Sequence, residues 1–267
     1  MSVRIVTDSS SGIPADLADE LGITVLDLHV MEDEEVSTSG LSSLELAAAY
    51  ARQLERGGDD GIVALHLSKR LSSTWSAGVS ASAVFDDAVR VVDTDSAGMA
   101  VGAAAIVAAS FARAGANLDG CAAAAEATLA MSETWLYLRQ LDDMRKSGRL
   151  SATTAMLSAA LLATKPILRV NDGKLELAIK TRTQSKAFTK LVNHVVEHAS
   201  GNPVFAAIQY SEDEDSAQTL AEMLEEELVD GSSVELFPLT AAVAAHTGEG
   251  AIALSVFYTG TENSTAS

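Results

Sequence analysis

The sequence predicts an α/β protein of two domains: an N-terminal three-layer domain with a parallel sheet, residues 1–147, and a C-terminal mixed-sheet α/β domain, residues 148–267. Three observations carry this expectation. The first half repeats strand, polar loop and helix, with strands that are apolar throughout, which is the pattern of a parallel sheet covered on both faces. The second half contains Asn171-Asp172-Gly173 between two apolar runs, a strong signal for an antiparallel hairpin. Finally, 267 residues, of which 48% are hydrophobic, are enough for two cores of ordinary domain size.

Taken in order, Val3 to Thr7 is a short β-branched run that ends at Asp8-Ser9-Ser10-Ser11-Gly12. Pro14 and Gly22 bracket a helix over Ala15 to Leu21. Ser42-Ser43-Leu44-Glu45 is close to a capping box and opens a helix over Leu44 to Leu54, with Gly57-Gly58 as its stop. Gly61 to Leu67 reads as a buried strand, Ser72 to Phe85 as a helix of small residues, and Val89 to Val92 as another buried strand. Helices follow over Met99 to Arg113 and Leu118 to Met131. Trp135 to Leu138 is strand-like, and the basic loop Arg145-Lys146-Ser147-Gly148-Arg149 then marks the domain boundary in an otherwise acidic chain. Ser151 to Leu162 reads as a helix, and Pro166 to Val170 with Lys174 to Ile179 flank the hairpin turn. Helix Ser185 to His198, strand Pro203 to Tyr210, acidic helix Asp215 to Leu228, and strands Ser233 to Phe237 and Ala251 to Tyr258 complete the second domain. The polar tail from Thr259 to Ser267 reads as frayed. No Pro-rich or Gly/Ser-rich linker separates the halves, so a ligand is expected between or within the two domains.

Eighteen Lys and Arg against 37 Asp and Glu leave a net charge of −19, which repels phosphate backbones and anionic surfaces. Nucleic acid is therefore excluded as a partner class. The weakly apolar stretch Ala97 to Ala112 is roughly 16 residues, mostly Ala and Gly, short of the ~20 strongly apolar residues a bilayer span needs, and no integral membrane segment is expected. The N-terminal residues Met1-Ser2-Val3-Arg4 meet charge at once, unlike a secretory leader, and a cytoplasmic location is expected. Cys121 is the single cysteine and sits in an Ala-rich helical run, so it reads as a small buried apolar residue.

The motifs of serine hydrolases, P-loop enzymes and zinc proteins are missing: no G-x-S-x-G, G-x-x-x-x-G-K-[ST], H-E-x-x-H or C-x-x-C occurs. Gly248-Glu249-Gly250-Ala251-Ile252-Ala253 fits G-x-G-x-x-A but precedes a strand, so it reads as a tight turn. His194 and His198 share a helix face; with no third ligand nearby in sequence they read as a solvated face, and no metal is expected. Three polar loops at element ends are better candidates. Val36 to Ser42 is a hydroxyl cluster leading into a helix, and Ser68 to Trp75 follows a buried strand and opens a helix, whose positive end suits a carboxylate or phosphate. In His246-Thr247-Gly248-Glu249-Gly250 the glycines let backbone approach a ligand, and the imidazole can donate to an anion. Singly, each loop is better explained by helix capping or a structural histidine.

Together, the order Ile5-Val6-Thr7-Asp8-Ser9-Ser10-Ser11-Gly12-Ile13-Pro14, Thr38-Ser39, Leu71-Ser72-Ser73-Thr74-Trp75-Ser76-Ala77, Val92-Asp93-Thr94 with Gly98 and Gly102, Ser147-Gly148-Arg149-Leu150-Ser151, Lys165-Pro166-Ile167-Leu168, Asp172-Gly173-Lys174, Lys180-Thr181-Arg182 and His246 to Gly250 resembles the DegV family over nearly the whole chain. That resemblance implies two α/β domains holding a long-chain fatty acid, its acyl chain in an apolar tunnel and its carboxylate on hydroxyls. It implies a carrier, not an enzyme, without a cofactor, which presents the acid to a fatty acid kinase; the acyl phosphate formed there can enter phospholipid synthesis. By motif, Thr38, Ser72, Ser73 and His246 are the implied carboxylate ligands, and Arg145 and Arg149 the candidate docking residues for the partner, against the plainer reading of a solvated loop. The sequence departs from the family at Gly40-Leu41 for Gln-Pro, Ser73 for Gly, Trp75 for Tyr and Glu249 for Pro. A second reading rests on the likeness of this fold to the substrate-binding half of dihydroxyacetone kinases: a small carbonyl or polyol ligand anchored by His246.

Overall fold

Side chains alternate across a strand, so a strand apolar at successive positions must be covered on both sides. In the computed structural model, which describes residues 2–32, 36–57, 60–151, 154 and 164–259, this holds for the sheet of the first of two units. That unit comprises Met1–Ala130, Val170–Lys174 and Thr240–His246. Its strands are β1 (Arg4–Asp8), β2 (Ile23–Leu26), β5 (Ile62–His66) and β6 (Val89–Asp93), all parallel in the order β2-β1-β5-β6. Its helices are α1 (Ala15–Leu21), α2 (Ser43–Gly57), α3 (Thr74–Ser82), α4 (Met99–Arg113) and α5 (Leu118–Ala130). Ile5, Val63, Leu65 and Val92 face a layer made by α1, α4 and α5, where Ala104, Ala105 and Ala108 allow close packing and Cys121 is fully buried. Burial pushes the Cys121 thiol pKa up, as expected of an inert packing residue. Val6, Ile62, Ala64 and Val89 face the opposite layer, made by α2 and α3 around Leu46 and Tyr50. The three-layer parallel domain is thus present.

Local signals place most helix ends. Gly22 closes α1 with φ 70°, in the left-handed region that favours glycine. The Ser42–Glu45 capping box forms: Glu45 Oε2 accepts from Ser42 N at 2.8 Å, and Ser42 Oγ accepts from Glu45 N at 3.3 Å. The Ser42 hydroxyl, followed by its backbone N–H, holds the Glu45 carboxyl below the usual carboxylate range. α3 begins at Thr74, later than the helix expected from Ser72, because Leu71 N and Ser72 N both donate to Ser68 O in a tight turn. β2 and the antiparallel hairpin of β3 (His29–Glu32) and β4 (Val36–Ser39) were not anticipated. β4 consists largely of hydroxyl residues, which carry no apolar alternation and therefore read as loop.

The second unit comprises Met131–Arg169, Leu175–Leu239 and Thr247–Ser267. Its strands are β7 (Ser132–Tyr137), β8 (Lys165–Asn171), β9 (Lys174–Thr181), β10 (Val204–Tyr210), β11 (Ser233–Pro238) and β12 (Ile252–Tyr258), in the order β11-β10-β12-β7-β8-β9. β10 and β11 pair in parallel, whereas β12 is antiparallel to both β10 and β7, and β7 to β8, so the sheet is mixed, as expected. β7 joins this sheet, so sheet membership changes ahead of the basic segment at 145–149. The hairpin turn has Asp172 at φ 46° and Gly173 at φ 72°, the two positive angles of a type I′ turn. Its described helices are α6 (Asp142–Ser147), α7 (Gln184–Ala199) and α8 (Glu214–Glu227), while α9 (Ala241–Thr247) belongs up to His246 to the first unit. Trp135, Tyr137, Ile208 and Leu254 pack on Phe188 and Val195 of α7 and on Leu220 and Leu224 of α8.

Two local expectations are corrected. Arg145 and Lys146 lie in the last turn of α6, not in a loop, where the negative helix end favours cations; Gly148, φ 72°, then ends the helix. His246 and Thr247, expected at the head of a polar loop, are instead the last residues of α9, whose first five residues are Ala and Val and carry no helical stripe. The helix expected over Ser151 to Leu162 lies outside the described residues apart from Ser151 and Thr154, as do Gly58 and the tail beyond Thr259. Among the described residues no helix is long and apolar enough to cross a membrane.

Candidate functional site

At the C-terminal edge of the parallel sheet, three segments of the first unit bring hydroxyls and an imidazole together. β4 carries Thr38, whose Oγ1 lies 2.5 Å from Nε2 of His246 in the last turn of α9. Two residues on, Gly40 passes so close to the start of α3 that a Cβ there would stand 2.8 Å from Thr74 Oγ1, 2.9 Å from Ser73 Oγ and 3.1 Å from Ser72 Oγ. Thr74 Oγ1 in turn accepts from Leu41 N at 3.3 Å and shares a hydrogen bond with Ser72 Oγ at 2.9 Å. Ser72 Oγ also accepts from Thr74 N at 3.2 Å, which satisfies one of the helix's leading N–H groups. Thr38, Ser72 and His246 are half-buried, Ser73 is exposed and Thr74 is fully buried.

Ser73 has φ −75° and ψ −8°, an ordinary helical backbone, so the serine found where a glycine was the family's residue creates no strain. Gly40 and Thr74 belong to the cluster and were missed as site residues in the sequence. Gly40 counted only as a departure, and its role rests on space, which no spacing rule reports. Gly40→Ala is expected to destabilise the chain by about 1–3 kcal/mol, since the added methyl must push aside a buried, doubly bonded Thr74 hydroxyl; denaturant unfolding measures it.

Beneath this cluster lies a buried polar brace. The Asp8 carboxylate, at the end of β1, accepts from Ser10 N at 3.0 Å, from Leu67 N at 3.2 Å and from Ser10 Oγ at 2.5 Å. Its Oδ2 is 3.0 Å from His66 Nδ1, and His66 Nε2 is 3.0 Å from the Tyr50 hydroxyl. With the proton on Nδ1, Nε2 accepts from Tyr50, whose phenol is pushed far up, first by burial and then by the Asp8 charge, and so stays a donor. Thr94 Oγ1 donates to His66 O at 2.6 Å and Ser68 N to Ser96 O at 2.8 Å. These bonds hold the end of β5 and hence the Ser68–Ser73 turn.

Chemically, hydroxyls, an imidazole and the positive end of α3 suit a carboxylate: the donors supply charge-assisted hydrogen bonds without a fixed cation. If His246 Nε2–H donates to Thr38, the Thr38 hydroxyl proton is left to donate to the anion, and the two bonds strengthen each other.

Other sequence candidates lie in the second unit. Arg145 Nη2 is 3.7 Å from Asp142 Oδ1, and Arg149 Nη1 donates to Ser147 O within its own turn. Gly250, φ 73°, runs so close to Arg139 that a Cβ would meet Arg139 Cδ at 2.7 Å, which explains the need for glycine in this turn. Glu249 beside it is 3.8 Å from Arg139 Nη1, which screens the negative charge that the replacement of Pro introduces.

Comparison with known proteins agrees with this architecture. A family model described as an uncharacterised protein of the DegV family matches residues 31–259. The crystal structure of a DegV family protein from Corynebacterium glutamicum is 56% identical, covers 97% of this chain and 99% of its own, and superposes with a TM-score of 0.95. A structure described as fatty acid binding of a DegV family protein from Thermus thermophilus is 26% identical, with TM-score 0.88 over 97% of this chain and 100% of the other. DegV, a fatty acid binding protein from Bacillus subtilis, is 25% identical, with TM-score 0.83 over 97% and 100% of the two chains.

Proposed function

The chain belongs to the DegV family, and on that premise we propose that it is a carrier that binds a long-chain fatty acid, with the carboxylate on Thr38, Ser72, Ser73 and His246. The observation that carries this reading is the Thr38–His246 contact at 2.5 Å beside the hydroxyls gathered around Gly40. The fatty-acid-binding relatives at 26% and 25% identity support it. An ionised carboxylate is expensive to bury unless hydrogen bonds and partial positive charge compensate, and this cluster offers both. Affinity then comes from the tail: at ~0.8 kcal/mol per buried CH₂, about sixteen carbons contribute on the order of 10 kcal/mol before ordering and association costs.

The chain itself carries out no chemical step in this proposal. It presents the bound acid to a fatty acid kinase, which phosphorylates the carboxylate, and the acyl phosphate passes to phospholipid synthesis. Arg145 and Arg149 are the proposed docking cations on a chain of net charge −19. Native mass spectrometry of purified protein, followed by organic extraction, tests the ligand class. A retained mass of roughly 250–300 Da that extracts as a free fatty acid is the expected result, since ~0.8 kcal/mol per methylene allows retention through purification. A protein that comes off empty and takes up no added fatty acid overturns the proposal and leaves the small carbonyl or polyol reading.

A further inference from the structure

The second unit carries a cluster of ligating side chains that the fatty-acid proposal does not use. His194 and His198 are one turn apart on α7, so both imidazoles leave the same face, with rings 21° from parallel and centroids 5.8 Å apart. The sheet supplies a third group to that face. Glu133 of β7 shares its side of the strand with Trp135, whose ring meets His194 edge-on at 4.7 Å between centroids. Glu133 is only 7% exposed, in a position where the neighbouring same-face residues, Trp135 and Tyr137, are core. One ligand atom from each of Glu133, His194 and His198 lies within 4.8 Å of the others.

We propose that Glu133, His194 and His198 form a binding site for a borderline divalent transition metal, with Zn(II) the ion this donor set suits. Two imidazole nitrogens and one carboxylate oxygen are borderline ligands that zinc takes readily, whereas calcium and magnesium select oxygen alone. Three protein ligands leave a fourth tetrahedral position for water or a ligand. The groups that orient the carboxylate are already in place. Glu133 Oε1 accepts from Arg169 Nη2 at 2.6 Å, and Oε2 accepts from the Tyr258 hydroxyl at 3.0 Å. This outer shell aims the remaining lone pair of Oε2 at His194 Nε2, 3.1 Å away, and a metal replaces the proton shared there. Burial falls from Glu133 through half-buried His194 to exposed His198, which leaves the ion a path from solvent. Arg169 lowers the affinity by its charge, but its guanidinium is held at the other oxygen and over the Trp135 ring, 5.3 Å from the centroid. An ion bound here ties α7 to β7 and stabilises the folded chain by mass action.

The test is titration of the untagged, chelator-treated full chain with Zn(II) by calorimetry, together with Co(II) for its visible absorption and thermal unfolding with and without metal. Expected are saturation near one ion per chain, a tetrahedral-type Co(II) spectrum and a raised Tm. His198→Ala removes an exposed side chain, keeps the fold, and is expected to weaken uptake at least tenfold; Glu133→Gln does the same where it folds. His29→Ala, in the exposed His29–Glu45 pair of the other unit, is expected to leave uptake unchanged. No saturable uptake by the parent chain overturns the proposal, as does undiminished uptake by His198→Ala.

Discussion

A Ser72→Ala/His246→Ala double variant is expected to bind long-chain fatty acids at least about 100-fold more weakly than the parent chain. A hydrogen bond to an ionised group contributes roughly 1.5–3 kcal/mol, so two lost together come to about 3–6 kcal/mol, and every 1.4 kcal/mol is a factor of ten. The fold should survive. His246 and Ser72 are half-buried, and the structural losses are the Ser72 bonds to Thr74 N and Thr74 Oγ1 and the His246 bond to Thr38, each on the order of 1 kcal/mol. Fluorescence displacement or calorimetry reads the affinity, and circular dichroism checks the fold. A folded double variant with parental affinity removes these residues from the site.

Shortening a saturated acid by four methylenes is expected to weaken binding by roughly 200-fold, about 3 kcal/mol at ~0.8 kcal/mol per CH₂. This effect comes from the tail and is independent of the head-group cluster, so it should persist in the double variant. The same calorimetry, run over a series of saturated acids on delipidated protein, measures it. Affinity that is flat with chain length means that the tail is not enclosed, and the weight moves to a small polar ligand. The two experiments therefore separate an error in the head-group residues from an error in the ligand class.

Much of the fold is legible in local pattern. The continuous apolar runs at Ile62–His66 and Val89–Asp93 announce strands buried on both faces, and the Ser42–Glu45 box and Gly22 fix helix ends because their interactions span at most one turn. Asp172 and Gly173 announce the hairpin because its turn needs two positive φ angles. Where local pattern is silent, so is the sequence. β4 and α9, which hold Thr38 and His246, are hydroxyl-rich or small-residue segments with no apolar period, so Thr38 and His246 present themselves only as members of polar loops. The candidate residues Thr38, Ser72, Ser73 and His246 were reached through ordered motifs resembling a family, since nothing in their spacing shows that they meet.

By itself, then, the sequence determined the fold class, most element ends, the acidic net charge and the polar loops from which the candidate site is drawn. Only the tertiary structure decided that Thr38 meets His246 across 208 positions, that Gly40 leaves room for three hydroxyls, and that Glu133 reaches His194 across 61. Periodicity and capping report interactions within a turn or a pleat, where bond geometry limits the choices. Contacts between distant segments depend on which strands lie side by side and how closely their backbones pass, and these follow from burial of the whole core.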